Sequence, residues 1–362
     1  MRIFSGLLRL ALWLTLLLTG AMMGFAATFV YVSNAESNDI YVLQLNPQSG
    51  ELTLIEKVSL PGIVKSGMST PLAISPDRRF LYVATRSEPQ SVFSYAINAK
   101  SGKLTLLGSS ALVDSMAYIS TDRSGRYLFA ASYPGHKLTV SPINAQGIAQ
   151  ATQQVLPNHT NSHSIRADAS NRFVLAATLG NDLVNQFKFD VTSGTLTPNT
   201  PPAVHVKEKT GPRHLIFHPK QSIVYVLGEL DATVHVFDYD GKQGQLKEKQ
   251  SVNALTTSVK GRIAAADLHI TADGNFLYST ERTSSTITTF KVNPKDGTLT
   301  LIGSIPTEAT PRGFAIAGQF VLVAGQQSHQ LSSYRITHTG ALNKLKEYPM
   351  GRNPNWIEVV TY

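Results

Sequence analysis

No cysteine occurs in the 362-residue chain. Disulfides and thiolate metal sites are therefore excluded, and the fold has to be held together by burial and strand pairing. Tryptophan is scarce, with two residues, and charged residues make up only 15% of the chain. Lysines and arginines outnumber acidic residues 32 to 24. They are scattered, however, and no basic stripe with interleaved aromatics appears, so a nucleic-acid partner is not expected. Also missing are a G-x-S-x-G nucleophile elbow, an H-E-x-x-H helix, a P-loop and a dinucleotide-binding glycine pattern. The commonest sequence signs of covalent hydrolases, zinc hydrolases and nucleotide enzymes are thus absent.

One long hydrophobic run is present. It extends from Leu10 to about Phe25, behind Arg2 and Arg9, and small residues Gly24 and Ala26 follow at cleavage spacing. This pattern predicts a signal peptide over residues 1–26, with an uncleaved membrane anchor as the alternative. The mature chain is expected in the periplasm or outside the cell, free of the membrane once the signal is removed. Loss of Arg2 and Arg9 leaves 30 basic against 24 acidic residues. That mild excess favours an anionic ligand and little more.

The rest of the chain repeats. The segments "PLAISPDRRFLYVATR" (71–86), "MAYISTDRSGRYLFAASY" (116–133), "RHLIFHPKQSIVYVLGE" (213–229) and "DLHITADGNFLYSTER" (267–282) share one pattern. An apolar strand leads to a polar turn and then to a second strand that carries a tyrosine, central in three of the four. The unit recurs roughly every 45 to 55 residues, the period of a four-stranded blade. The two ends of the chain complement each other. "ATFVYVSNAESNDIYVLQLN" supplies a second and third strand with no first, and "NPNWIEVVTY" supplies a first strand with no successor. Residues 27–362 are therefore predicted to form an all-β, seven-bladed β-propeller with four antiparallel strands per blade. The C-terminal strand would close the first blade, so that no sheet edge stays open.

In such a ring the start of each first strand and the end of each second strand emerge at one mouth of the central channel. Superposing the repeats puts His163, Arg213, Asp267 and Arg312 at the first position, and Arg86, Glu229, Arg282 and Gln326 at the second. Unlike residues at equivalent points of a repeat are not needed by the scaffold, and convergent polar groups in a concave mouth define a default binding site. Several arginines together favour a carboxylate, a phosphate or a polarised carbonyl. His214, His218, His235 and His269 are dispersed along strands and read as structural or surface residues.

The motifs "GPRHLIFHP", "GEL", "AADLHITADGNFLY", "ER", "TPRGF" and "GQQSHQ" resemble those of the seven-bladed propeller lactonase family, and the likeness covers the whole mature chain. The resemblance implies metal-independent opening or closing of a lactone ring in the channel mouth, with no cofactor and a small anionic or sugar lactone as the partner. It further implies catalytic roles for His163, Arg213, Glu229 and Arg282. Glu229 or His163 would be the general base, and Arg213 would meet the carbonyl or oxyanion. Arg282 and Arg312 would hold the anionic part of the substrate, with Arg86 beside them at the mouth, and Asp267 and Gln326 would orient hydroxyls. A non-enzymatic exported propeller, binding a ligand or protein through the same mouth, is the competing expectation.

Overall fold

The computed structural model describes residues 26–362. The expected leader lies outside these residues, apart from Ala26. Among the described residues there are seven four-stranded antiparallel sheets, each with its strands side by side in sequence order except one. In that exception the C-terminal strand Pro354–Thr361 pairs with Thr28–Asn34, followed by Asp39–Leu45 and Leu52–Ser59. The chain ends therefore share a blade, as the split repeat predicts. The first strands pack side by side around the axis, and Pro354–Thr361 touches both Pro311–Ala317 and Leu72–Ile74. The ring is a seven-bladed β-propeller.

The repeated sequence signals account for this geometry. At the hairpin between first and second strands, a short polar side chain satisfies the amide that re-enters the sheet. Ser75 Oγ accepts from the Phe80 amide at 2.9 Å, Asp122 Oδ1 from Tyr127 at 2.9 Å, and Thr271 Oγ1 from Phe276 at 3.1 Å. In blade five His218 takes this position, and its Nδ1 accepts from the Lys220 and Gln221 amides. That histidine is structural, as expected. Three central tyrosines of the second strands join neighbouring blades. Tyr31, Tyr225 and Tyr278 donate to the carbonyls of Gly102, Gly297 and Gly340 at 2.9, 2.8 and 2.8 Å, each in a hairpin of the next blade. Between blades the apolar faces interleave, as where Phe129, Ile165, Val174 and Phe187 form one buried cluster across blades three and four.

Two backbone features at the mouth matter for function. The residue that launches a first strand adopts a left-handed conformation in several blades: Asn161 (φ 53°), Gly211 (φ 63°), Thr310 (φ 57°) and Asn353 (φ 58°). Two residues later the strand register slips against its partner, between Ser162 and Ser164, between Pro212 and His214, and between Pro311 and Gly313. A β-bulge adds one residue and re-aims side chains that would otherwise alternate. His163, Arg213 and Arg312 are the added residues.

Candidate active site

The site forms around the bulge in blade five, whose first two strands are Pro212–Phe217 and Ile223–Gly228. Arg213 is 1% exposed. Its Nε donates to Glu229 Oε2 at 2.9 Å. Its Nη1 donates to the carbonyl of Ala266 and lies 3.1 Å from His214 Nε2. Its Nη2 makes no hydrogen bond to the described residues. Three of the five N–H donors of this buried guanidinium are therefore engaged by protein, and the two on Nη2 remain unpartnered.

Glu229 is clamped on both oxygens, since Oε1 meets Arg282 Nη2 at 3.1 Å. The Arg282 Nε in turn donates to the Ala264 carbonyl at 2.9 Å. Burial pushes the Glu229 pKa up, but the charges of Arg213, Arg282 and Arg312 outweigh it and leave the carboxyl below its ordinary value. A carboxylate held this way stays ionised, and because each oxygen already accepts from a guanidinium it is a weakened base. The pair is also buried, with Glu229 only 13% exposed at the side chain, so it is unlike a solvated ion pair at a water-filled mouth.

His163 is 3% exposed and its Nδ1 is buried without a hydrogen-bond partner. Its ring lies 5.2 Å from His214 and 6.0 Å from Tyr133, measured between centroids. Burial, followed by the charges of Arg213, His214, Arg312 and Arg86, holds its pKa well below the usual imidazole value. The ring is neutral at physiological pH. Arg312 completes the cluster. Its Nε is buried with no partner, and burial together with repulsion from Arg213, Arg282 and Arg86 depresses its pKa. Arg86 donates from Nε to Ser115 Oγ at 3.0 Å and lies 3.5 Å from Ser69 Oγ through Nη1. Gln326 sits on the rim, with its amide donating to Asn353 Oδ1 at 2.7 Å.

Asp267 differs from the expectation. The superposition put it level with Arg213, but Ala265 pairs with Glu281 as Pro212 pairs with Gly228. Ala266 is thus the equivalent of Arg213, and Asp267 lies one residue deeper, 8% exposed. Both its oxygens are engaged by protein: Oδ1 by His214 Nδ1 at 2.7 Å and the Leu268 amide at 2.9 Å, Oδ2 by His269 Nε2 at 3.2 Å and the Phe314 amide at 3.1 Å. Nothing remains free to orient a substrate hydroxyl. The same one-residue offset conceals His214. In a regular strand the neighbour of a mouth-facing arginine faces away from the channel, but the bulge turns both Arg213 and His214 inward. The adjacent pair Arg213-His214 in an otherwise apolar strand was the available signal. His235, by contrast, is structural and pairs with Glu248 at 2.6 Å.

The mouth therefore carries four guanidiniums, one ionised carboxylate that two of them consume, and a neutral imidazole. No group of His, Asp or Glu that could hold a metal ion is found among the described residues. An unpartnered guanidinium N–H₂ next to a buried free imidazole can receive an oxyanion and a water proton, the combination used in non-covalent ester and lactone hydrolysis. A sequence profile described as "Lactonase, 7-bladed beta-propeller" matches residues 27–359. The chain belongs to the seven-bladed β-propeller lactonase family and is a lactone hydrolase. It is 40% identical over 334 residues to the 6-phosphogluconolactonase of Pectobacterium atrosepticum, covering 91% of this chain and 98% of that protein. The 6-phosphogluconolactonase of Serratia proteamaculans is matched to the same extent. Among solved structures, the periplasmic gluconolactonase of Pseudomonas aeruginosa superposes with a TM-score of 0.84 at 26% identity, covering 93% of this chain and 99% of that one.

Proposed function

We propose that the mouth opens the ring of a six-carbon aldonolactone by direct attack of water. The observation that carries this reading is the convergence of groups with unmet hydrogen-bonding capacity: Arg213 Nη2, Arg312 Nε and His163 Nδ1. Buried polar groups in folded proteins are normally paired, and unpaired ones point to a missing ligand. In the proposed step His163 takes a proton from water as the hydroxide oxygen bonds to the lactone carbonyl carbon. The electron pair displaced onto the carbonyl oxygen makes it an oxyanion, which accepts hydrogen bonds from Arg213 Nη2. Collapse of the tetrahedral intermediate breaks the bond from that carbon to the ring oxygen, and the imidazolium returns its proton to the leaving alkoxide. The product is an open-chain hydroxy acid.

His163 is assigned the base in preference to Glu229, because the carboxylate is committed to Arg213 and Arg282. Glu229 instead orients both guanidiniums. Arg86 and Arg312 have no carboxylate partner among the described residues and are placed to hold an anionic substituent. This favours the 6-phosphate of gluconolactone. Export favours unphosphorylated gluconolactone, a reading supported by the apolar leader and by the name of the periplasmic relative. Acid release from each lactone, measured with purified protein above the spontaneous rate, separates the two. Hydrolysis of neither would reject the aldonolactone assignment.

A further inference from the structure

The interior of the channel below Arg213 holds a polar chain that the proposed reaction does not use directly. His214 stands at its centre, between Arg213 Nη1 at 3.1 Å and Asp267 Oδ1 at 2.7 Å. A guanidinium can only donate, so His214 Nε2 must accept, and the ring proton must then sit on Nδ1 and be donated to Asp267. Asp267 is itself fixed by two backbone amides, Leu268 and Phe314, and by His269. The His214 ring is further confined by Tyr118 and Trp356, with centroids at 5.2 and 5.8 Å. The arrangement is therefore rigid, and its proton inventory is determined by geometry.

We propose, on the basis of the lactonase reading above, that Asp267 and His214 are positioning residues. Asp267 holds His214 as the Nδ1–H tautomer, and His214 Nε2 together with the Ala266 carbonyl and Glu229 fixes the plane of the Arg213 guanidinium so that Nη2 alone faces the substrate. Reversal of the tautomer would set an N–H of His214 against an N–H of Arg213. The guanidinium would have to rotate, and Nη2 would leave its place. Displacement of a catalytic donor by about 1 Å can reduce turnover on the order of 100-fold.

Two measurements on the full mature protein test this. The first is independent of activity: nitrogen NMR of the histidine side chains at neutral pH. The proposal requires His214 to be neutral, protonated on Nδ1, with Nε2 as acceptor, and an Nε2–H tautomer or an imidazolium would overturn it. The second is kinetic. Asp267→Asn can no longer accept from both sides and should lower kcat by roughly 10- to 100-fold with a much smaller change in KM. His214→Gln, which keeps an acceptor that can reach Arg213, should retain more of the turnover than His214→Met, which has none of comparable strength. Equal kcat in the Gln and Met variants, or losses that simply follow the folded fraction, would assign the chain to the scaffold. Lack of hydrolysis by the wild-type protein would count against the lactonase reading and leave the tautomer result to decide the positioning.

Discussion

Arg213, near the start of the first strand, and Glu229, just past the end of the second, lie at the same end of one hairpin and meet at 2.9 Å, and Arg213 is almost wholly withdrawn from solvent. The pair is the hinge of the mouth, because Glu229 carries Arg282 on its other oxygen. Removal of one partner from a buried pair leaves an uncompensated charge and typically destabilises by about 3 to 5 kcal/mol. Glu229→Gln should therefore lower both the melting temperature and the turnover. A variant that melts with the parent would show that the two arginines do not depend on this carboxylate.

His163 makes a contrasting prediction. Its ring forms no hydrogen bond to the described residues, so His163→Gln should leave the melting temperature nearly unchanged. Turnover should fall by roughly 100- to 10,000-fold if the ring is the general base. Because its pKa is held well below the ordinary imidazole value, wild-type turnover should persist as pH falls through the usual imidazole range. A rate that halves near the unperturbed imidazole pKa would assign the base elsewhere.

Acid stability follows from His214, which faces Arg213, Asp267, His269 through that carboxylate, and His163. Burial, with Arg213 adding to it, pushes the pKa of His214 down to about 4 from 6.5. The unfolded chain thus binds a proton that the folded chain refuses. Its contribution is fully present above pH 6.5 and is lost as pH falls to about 4, a change on the order of 3 kcal/mol. Denaturation curves between these limits should be less steep in pH for His214→Gln than for the parent. Parallel curves would contradict the assignment.

The fold was legible because the repeat carries its own turn chemistry. Ser75, Asp122 and Thr271 occur at equivalent points and perform one task, and the split seventh unit is visible from the strand that only the C-terminus supplies. The site was legible where a bulge residue is charged, as at Arg213 and Arg312. It was misread where the bulge displaces the alignment by one residue. Superposing the repeats puts Asp267 at the mouth and His214 in the scaffold, but period-two alternation fails at a bulge, and the adjacent Arg213-His214 pair was its one sign in the residue types. The second partner of Glu229, Arg282, was likewise invisible, since it comes from the neighbouring blade.

Closure of the ring can be tested without substrate. The C-terminal strand pairs with Thr28–Asn34 and buries Ile357 and Val360. Each such side chain contributes roughly 1.5 to 3 kcal/mol, against a total stability of about 5 to 15 kcal/mol for a typical protein. Deletion of residues 354–362 should therefore lower stability by at least about 3 kcal/mol, seen as a large fall in the thermal midpoint. Melting like the parent would argue against the shared blade.

The central claim is that Arg213 presents an otherwise unoccupied N–H₂ to a lactone carbonyl, and Arg213→Lys examines it most directly. Lysine keeps the positive charge but cannot hold Glu229, His214 and the Ala266 carbonyl while presenting a second donor. Acid release from gluconolactone and its 6-phosphate should be measured for parent and variant above the spontaneous rate, alongside their melting curves. The account predicts catalysis by the parent and a loss in kcat of roughly 10- to 1000-fold in the variant, the scale of a removed oxyanion donor. A folded lysine variant with the parent's turnover would contradict it.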